Sequence, residues 1–175
     1  MKTARKKLLF ALLCAIFAAS IMLPSKAFAQ APAGHKARVK NVFSRLESVL
    51  GWTPKVVFED TDRMSAFVMP DGTVVVSAGL LSIAESDDEL AFILAHEASH
   101  IIANDQTPGT AGLSGLDSSG ASEFREERAD RMAVGIMEKA GFDRGASIRV
   151  LKKLSGKGTD LNPRILALSK LLYAK

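Results

Sequence analysis

Two histidines and a glutamate stand in an otherwise apolar run, AFILAHEASHIIAND, from Ala91 to Asp105. A helix turns about 100° per residue, so His96 and His100 differ by about 40° and lie one turn apart on one face. Two imidazoles so placed can share a metal ion. Glu97 lies about 100° further round, outside the ligand set but beside the place of a reacting water. That pattern suits metal-assisted hydrolysis, in which the ion acidifies a water and the carboxylate takes its proton. Ordinary core histidines are the competing reading. It must explain why Leu90, Phe92, Ile93, Leu94, Ile101 and Ile102 surround three polar groups. Burying those groups without partners would cost on the order of several kcal/mol.

A catalytic zinc has three protein ligands and one open position. His35 is the remaining histidine and sits far upstream. The better source is SEFREERADRMAVGIMEKAG, Ser122 to Gly141. With Phe124 at zero, Ala129, Ala133, Ile136, Met137 and Ala140 cluster between about 120° and 220°. Glu126 falls inside that apolar face at about 200°, and Asp130 on its edge at about 240°. Glu127, Arg128, Arg131, Glu138 and Lys139 fall on the polar side. An ionised Glu126 in that face needs a partner, so it is assigned as the third ligand. Asp130, one turn on, is placed to accept a hydrogen bond from a ligand imidazole and orient it. Glu123, at about 260°, is the fallback ligand. Surface ion pairing is the competing reading for both carboxylates.

HEASH followed by Glu126-Glu127-Arg128-Ala129-Asp130 resembles peptidase family M48, which includes the HtpX-like and BepA-like zinc metalloproteases. The resemblance maps the zinc histidines to His96 and His100, the catalytic glutamate to Glu97, the glutamate ligand to Glu126 and the helix aspartate to Asp130. SAFVMPDGTVVVSAGLL, Ser65 to Leu81, is similar to the family's hairpin before the zinc helix. Ala140 to Asp143 is similar to its segment after the second helix. The likeness spans about Val39 to Leu168. Ser65 stands where the family usually has Asn. Thr159 to Arg164 lacks the histidine of the family's Thr-His-Pro segment, although Arg164 matches an arginine often found there. Arg164 is therefore an accessory candidate without a defined role, and no oxyanion stabiliser is assigned. The family's transmembrane segments are absent, which implies a small exported member.

The elements that must position these residues are legible from periodicity. Val39, Val42, Phe43, Leu46, Val49 and Leu50 repeat at helical spacing and Gly51 stops them. Gln30 to Gly34 reads as a linker. Lys55 to Glu59 is a strand candidate. Met64 to Met69 and Thr73 to Ser77 flank Pro70-Asp71-Gly72, which predicts a hairpin. Gly79 to Ala84 reads as a short helix. Ser86-Asp87-Asp88-Glu89 is a capping box opening the HEASH helix, which should reach about Asn104. Gln106 to Gly120 reads as a loop, and the 105–120 stretch is a candidate lid, with a plain flexible connection as the alternative. Helices follow over about Ala121 to Ala140, with Gly141 as stop, then over Asp143 to Leu154, then from Pro163. The order predicts an α+β fold: a mainly helical, zincin-like domain with a small antiparallel sheet beside the HExxH helix. If Met64 to Met69 is an edge strand, an extended peptide can add to it, with Ser65, Ala66 and Phe67 as substrate-binding candidates. A sheet that only packs under the helices is the alternative.

The first 29 residues read differently. Lys2, Arg5, Lys6 and Lys7 precede an apolar run from Leu8 to Leu23, and Ala27-Phe28-Ala29 supplies small residues for cleavage. The expectation is a signal peptide over 1–29 and one zinc metallopeptidase domain over 30–175. An uncleaved anchor is the alternative, because the run is near the lower length limit for a span. The full chain carries +4. Five of its 23 basic residues and none of its 19 acidic ones fall in 1–29, which leaves 18 against 19, a net of −1. No electrostatic case for nucleic acid survives that subtraction. Cys14, the only cysteine, lies in the leader too.

Together these readings predict a zinc-dependent endopeptidase with one zinc per chain, exported to the periplasm or its equivalent. Its expected partners are unfolded or misfolded polypeptides, as in protein quality control. The motif predicts hydrolysis, and the peptide substrate comes from the resemblance. A client-binding, chaperone-like zinc module with little proteolysis is the alternative. A hydrolase of non-peptide envelope material is a third reading. Peripheral membrane attachment stays open.

Overall fold

The computed structural model describes residues 33–104, 120–156 and 160–173. The expected leader with its cleavage point, and the candidate lid apart from Gly120, lie outside the described residues.

Helix α1 spans Ala33–Leu50. Val39, Val42, Phe43 and Leu46 recur at the spacing of one helical face, and all four are buried. The expected linker gives way here, because Ala33 and Gly34 already belong to α1. Gly34 is tolerated in a first turn, before the helical hydrogen-bond ladder is complete. Gly51 ends the helix at φ +76°, a conformation open to a residue without a Cβ.

Three strands follow: β1 (Val56–Glu59), β2 (Ala66–Val68) and β3 (Val74–Ser77). The predicted hairpin joins β2 and β3, pairing Ala66 with Val76 and Val68 with Val74. Pro70-Asp71-Gly72 closes it: the Gly72 N–H donates to Met69 O at 2.9 Å, with φ +79° at the glycine. β1 runs parallel to β3 on its other side, so the sheet is mixed, with order β1-β3-β2. Among the described residues that leaves β2 as an edge strand.

Helix α2 (Ala78–Ile83) begins directly after β3, capped by Ser77 Oγ, which accepts from Leu80 N. Gly79 lies against backbone: a Cβ there would collide with the carbonyls of Asp62 and Arg63. Helix α3 (Asp87–Ile102) carries HEASH. Ser86 Oγ accepts from Glu89 N as the capping box requires. The return arm differs from the expectation, since Glu89 Oε2 accepts from Glu85 N, one residue earlier. Lys153 also donates to both Glu89 oxygens at 2.9 Å, which anchors the start of α3 to a later helix.

Every residue of α3 from Glu89 to His100 is buried. The reason is its position: it packs most extensively on α4 (Gly120–Lys139), and also on α1, β2 and α5 (Ala146–Ser155). Gly141, at φ +75°, ends α4, and Phe142 N donates to Met137 O at 2.9 Å in a Schellman arrangement. Arg45 of α1 reinforces that end, donating to Gly141 O at 2.9 Å and stacking 3.6 Å over the Phe142 ring. α5 starts later than expected, because the exposed Asp143 forms a turn ahead of it: its Oδ1 accepts from Gly145 N at 2.9 Å and its carbonyl from Ala146 N at 3.1 Å. The last described helix, α6 (Asn162–Tyr173), has Pro163 in its first turn and lies across α4 and α5. Among the described residues the fold is α+β and mainly helical, and no helix there is long and apolar enough to cross a membrane.

Candidate metal centre

The apolar envelope of α3 leaves His96 and His100 facing one another inside the protein. Their Nε2 atoms stand 3.1 Å apart and their rings cross at 83°. Glu126 reaches them from the apolar face of α4. Its Oε2 lies 3.3 Å from His96 Nε2, and its Oε1 lies 3.4 Å from His100 Nε2. One donor atom from each residue falls within 4.8 Å of the others, and all three residues are buried. Among the described residues no other three such side chains converge in this way. Glu123, the fallback, is exposed. His35 sits in the first turn of α1, outside the cluster.

Two observations fit a zinc ion to this cluster. Ligands about 2.0–2.1 Å from a tetrahedral centre stand about 3.3 Å from one another, close to the 3.1 Å between the imidazole nitrogens and the 3.3 Å from His96 Nε2 to Glu126 Oε2. Two imidazoles with one carboxylate are also a donor set for zinc. The second observation is Glu97. It is fully buried, and neither carboxylate oxygen has a hydrogen-bond partner among the described residues. A buried carboxylate without partners is costly, and a water and cation beside it would relieve that cost.

The electrostatics follow from packing. Burial pushes the Glu97 carboxyl up to about 6, although His96 and His100 pull it down. Burial also works against charge on His96. The hydrogen bonds to Asp130 and Glu126 outweigh it and hold that imidazole up at about 9. Glu126 is opposed by burial too, yet contacts with His100 and His96 hold its carboxyl far below the usual range. Asp130 behaves likewise, with Arg164 as the main stabilising charge.

Asp130 sits where the helical wheel placed it. Its Oδ1 accepts from His96 Nδ1 at 2.9 Å, leaving His96 Nε2 pointed at the cluster. Glu127 turns the other way and pairs with Arg131. Arg164 had no assigned role. The structure brings its side chain from α6 into contact with both Glu126 and Asp130.

The three substrate candidates divide. Ser65 turns its backbone toward β3: its N–H donates to Ser77 Oγ and its carbonyl accepts from Ser77 N, both at 3.0 Å. Met69 N donates to Thr73 O in the same register. Antiparallel pairs alternate, so Phe67 also faces β3, while Ala66 and Val68 present N–H and C=O to the open edge. Their side chains are buried under the sheet. Val68 shares the outward register of Ala66, and counting back from the Pro70-Asp71-Gly72 turn finds it in the sequence.

A sequence profile of peptidase family M48 matches residues 34–124, just over half of the chain. The chain belongs to peptidase family M48. The match runs from α1 into the start of α4 and stops two residues before Glu126. The contribution of α4 and α6 to the M48 centre therefore rests on geometry. The chain is similar to the mitochondrial metalloendopeptidase OMA1 of Saccharomyces cerevisiae, 27% identical over 63% of this chain and 39% of that protein. It is also similar to the beta-barrel assembly-enhancing protease of Yersinia pestis, 28% identical over 55% of this chain and 27% of that protein. A shorter stretch, 31% of the chain, is 40% identical to the mitochondrial metalloendopeptidase OMA1 of Danio rerio and covers 11% of it. This M48 chain thus spans well under half the length of the curated relatives it matches.

Proposed function

We propose that this chain is a zinc-dependent endopeptidase, with one zinc held by His96, His100 and Glu126, acting on unfolded or misfolded polypeptides in the periplasm or cell envelope. The observation that carries the reading is the convergence of those three donors beside a buried, partnerless Glu97. Membership of peptidase family M48 supports peptide as substrate. The basic, apolar N-terminal stretch supports export.

When bound, zinc would supply Lewis acidity, lowering the pKa of a water and polarising the scissile carbonyl. Glu97 takes the proton of the attacking water. Its carboxyl, pushed up to about 6, is ionised at neutral pH yet close enough to that pH to return the proton to the leaving amine. Asp130 holds His96 with its proton on Nδ1. Extended substrate adds to the edge of β2 through the backbone groups of Ala66 and Val68, a mode that reads shape more than sequence and suits unfolded chains.

The test is the cleavage of casein by the purified, zinc-loaded protein beside its Glu97→Gln variant. Cleavage by the parent chain alone is expected. Equal cleavage by both would refute the role of Glu97. Binding of casein without turnover by either would support the client-binding reading instead.

A further inference from the structure

Arg164 is a cation inside the core, with 7% of its surface exposed. It belongs to the first turn of α6, while its partners lie on α4. Nε donates to Asp130 Oδ2 at 2.8 Å and Nη2 donates to Asp130 Oδ1 at 2.6 Å. Nη1 stands 3.0 Å from Glu126 Oε2, an ion pair without hydrogen-bond alignment. One guanidinium therefore joins two carboxylates that sit one turn apart on α4. Glu126 Oε1 is left facing His100.

The two carboxylates have different tasks. Asp130 fixes His96 through Nδ1, and Glu126 completes the donor set. Like charges four residues apart on a helix repel, and burial strengthens the repulsion. Without Arg164, only the His96 imidazole among the described residues would bridge the two carboxylates, and nothing there would fix Glu126 relative to Asp130 from the far side. A guanidinium is planar and carries five donors in a fixed fork, so it sets the spacing of its partners as well as neutralising them. An ammonium is a point charge and can do only the second.

We propose that Arg164 is the positioning residue of the centre. Its guanidinium fixes Glu126 relative to Asp130, and so holds the third ligand and His96 in the metal-binding pose before the ion arrives. The inference rests on the zinc reading above and adds that α6, from outside the HExxH and glutamate helices, completes the site.

Arg164→Lys and Arg164→Met test it in the full-length protein, stripped of metal and checked for helix content by circular dichroism. Zinc affinity is measured by competition with a chromogenic chelator, and the melting temperature is read with and without zinc. Both variants should bind zinc about 10–100-fold more weakly, with Lys close to Met. The rise in melting temperature on adding zinc should shrink in both. An arginine that served only to stabilise the fold would lower both melting temperatures and leave that rise intact, which would overturn the proposal. Wild-type affinity in Arg164→Lys would overturn it too, by showing that charge alone suffices. If the Met variant fails to fold, the Lys variant, which keeps the buried charge, carries the test. A parent chain that binds no zinc would refute the zinc reading itself and this inference with it. A zinc-binding parent with unaffected variants would refute only the inference.

Discussion

Replacing Glu97 with Gln should stabilise the metal-free protein in a pH-dependent way while abolishing hydrolysis. Glu97 is fully buried, and its oxygens have no hydrogen-bond partner. A carboxyl held at about 6 instead of its ordinary 4.5 makes ionisation in the folded state costlier by about 2 kcal/mol. The raised value fixes the sign. Below about pH 4.5 the carboxyl is protonated in both states and the penalty is absent. Between about 4.5 and 6 the folded state binds more protons than the unfolded, so stability falls as pH rises. Above about 6 the full penalty is present. Gln mimics the protonated form at every pH and so escapes this slope. The amide has its own burial cost, but that cost is constant, so the pH dependence isolates the charge. The difference in unfolding free energy, variant minus parent, should therefore grow by about 2 kcal/mol between pH 4 and pH 7. Denaturant titrations of both proteins in a chelator at a series of pH values measure it. For a domain of this size the same change appears as roughly 4–8 °C in melting temperature. A difference that stays flat across this range would refute the argument that Glu97 is an ionised group without partners in the metal-free core.

The remaining predictions concern the ion, the edge strand and one tight contact. Because His96 is held up at about 9, zinc must displace its proton: binding near pH 7 should release about one proton, and affinity should rise about tenfold per pH unit toward 9. Calorimetry in buffers of different ionisation enthalpy counts that proton, and a count near zero would contradict the hydrogen-bonded, charged imidazole. Val68→Pro removes an outward N–H from β2, where an edge strand tolerates proline. It should raise KM for unfolded substrates several-fold at unchanged zinc content, and an unchanged KM would place substrate elsewhere. Gly79→Ala drives a Cβ into the carbonyls of Asp62 and Arg63, and should destabilise the fold by at least about 1–3 kcal/mol in thermal melts.

The parts of the centre legible in the sequence are those fixed by one helix at a time. The i, i+4 spacing of His96 and His100 sets their shared face whatever surrounds them. The wheel over Phe124 to Ala140 separates Glu126 from Glu127, because burial sorts the two faces of α4. Asp130 follows from the same geometry. Arg164 was visible only as a residue without a role, since its position depends on how α6 docks across α4, and no local period encodes that docking. The parallel pairing of β1 with β3 is hidden for the same reason: the strand reads from composition, while its neighbour is chosen through long-range packing. Hairpin register is the intermediate case. The turn fixes it, and with it the outward groups of Ala66 and Val68, but only once the turn is known to close between Met69 and Thr73.

The placement of Arg164 also has a consequence for timing during synthesis. The charges of the centre come from residues 96 to 100, 126 to 130 and 164, so they emerge from the ribosome in three instalments. Until α6 docks, Glu126 and Asp130 lack the guanidinium that joins them. A nascent chain, or one cut short before residue 164, would hold the HExxH helix yet lack a finished metal pocket. Metal binding, and any hydrolysis that depends on it, would then begin only after the chain around the centre had folded, so the order of synthesis would itself delay the chemistry.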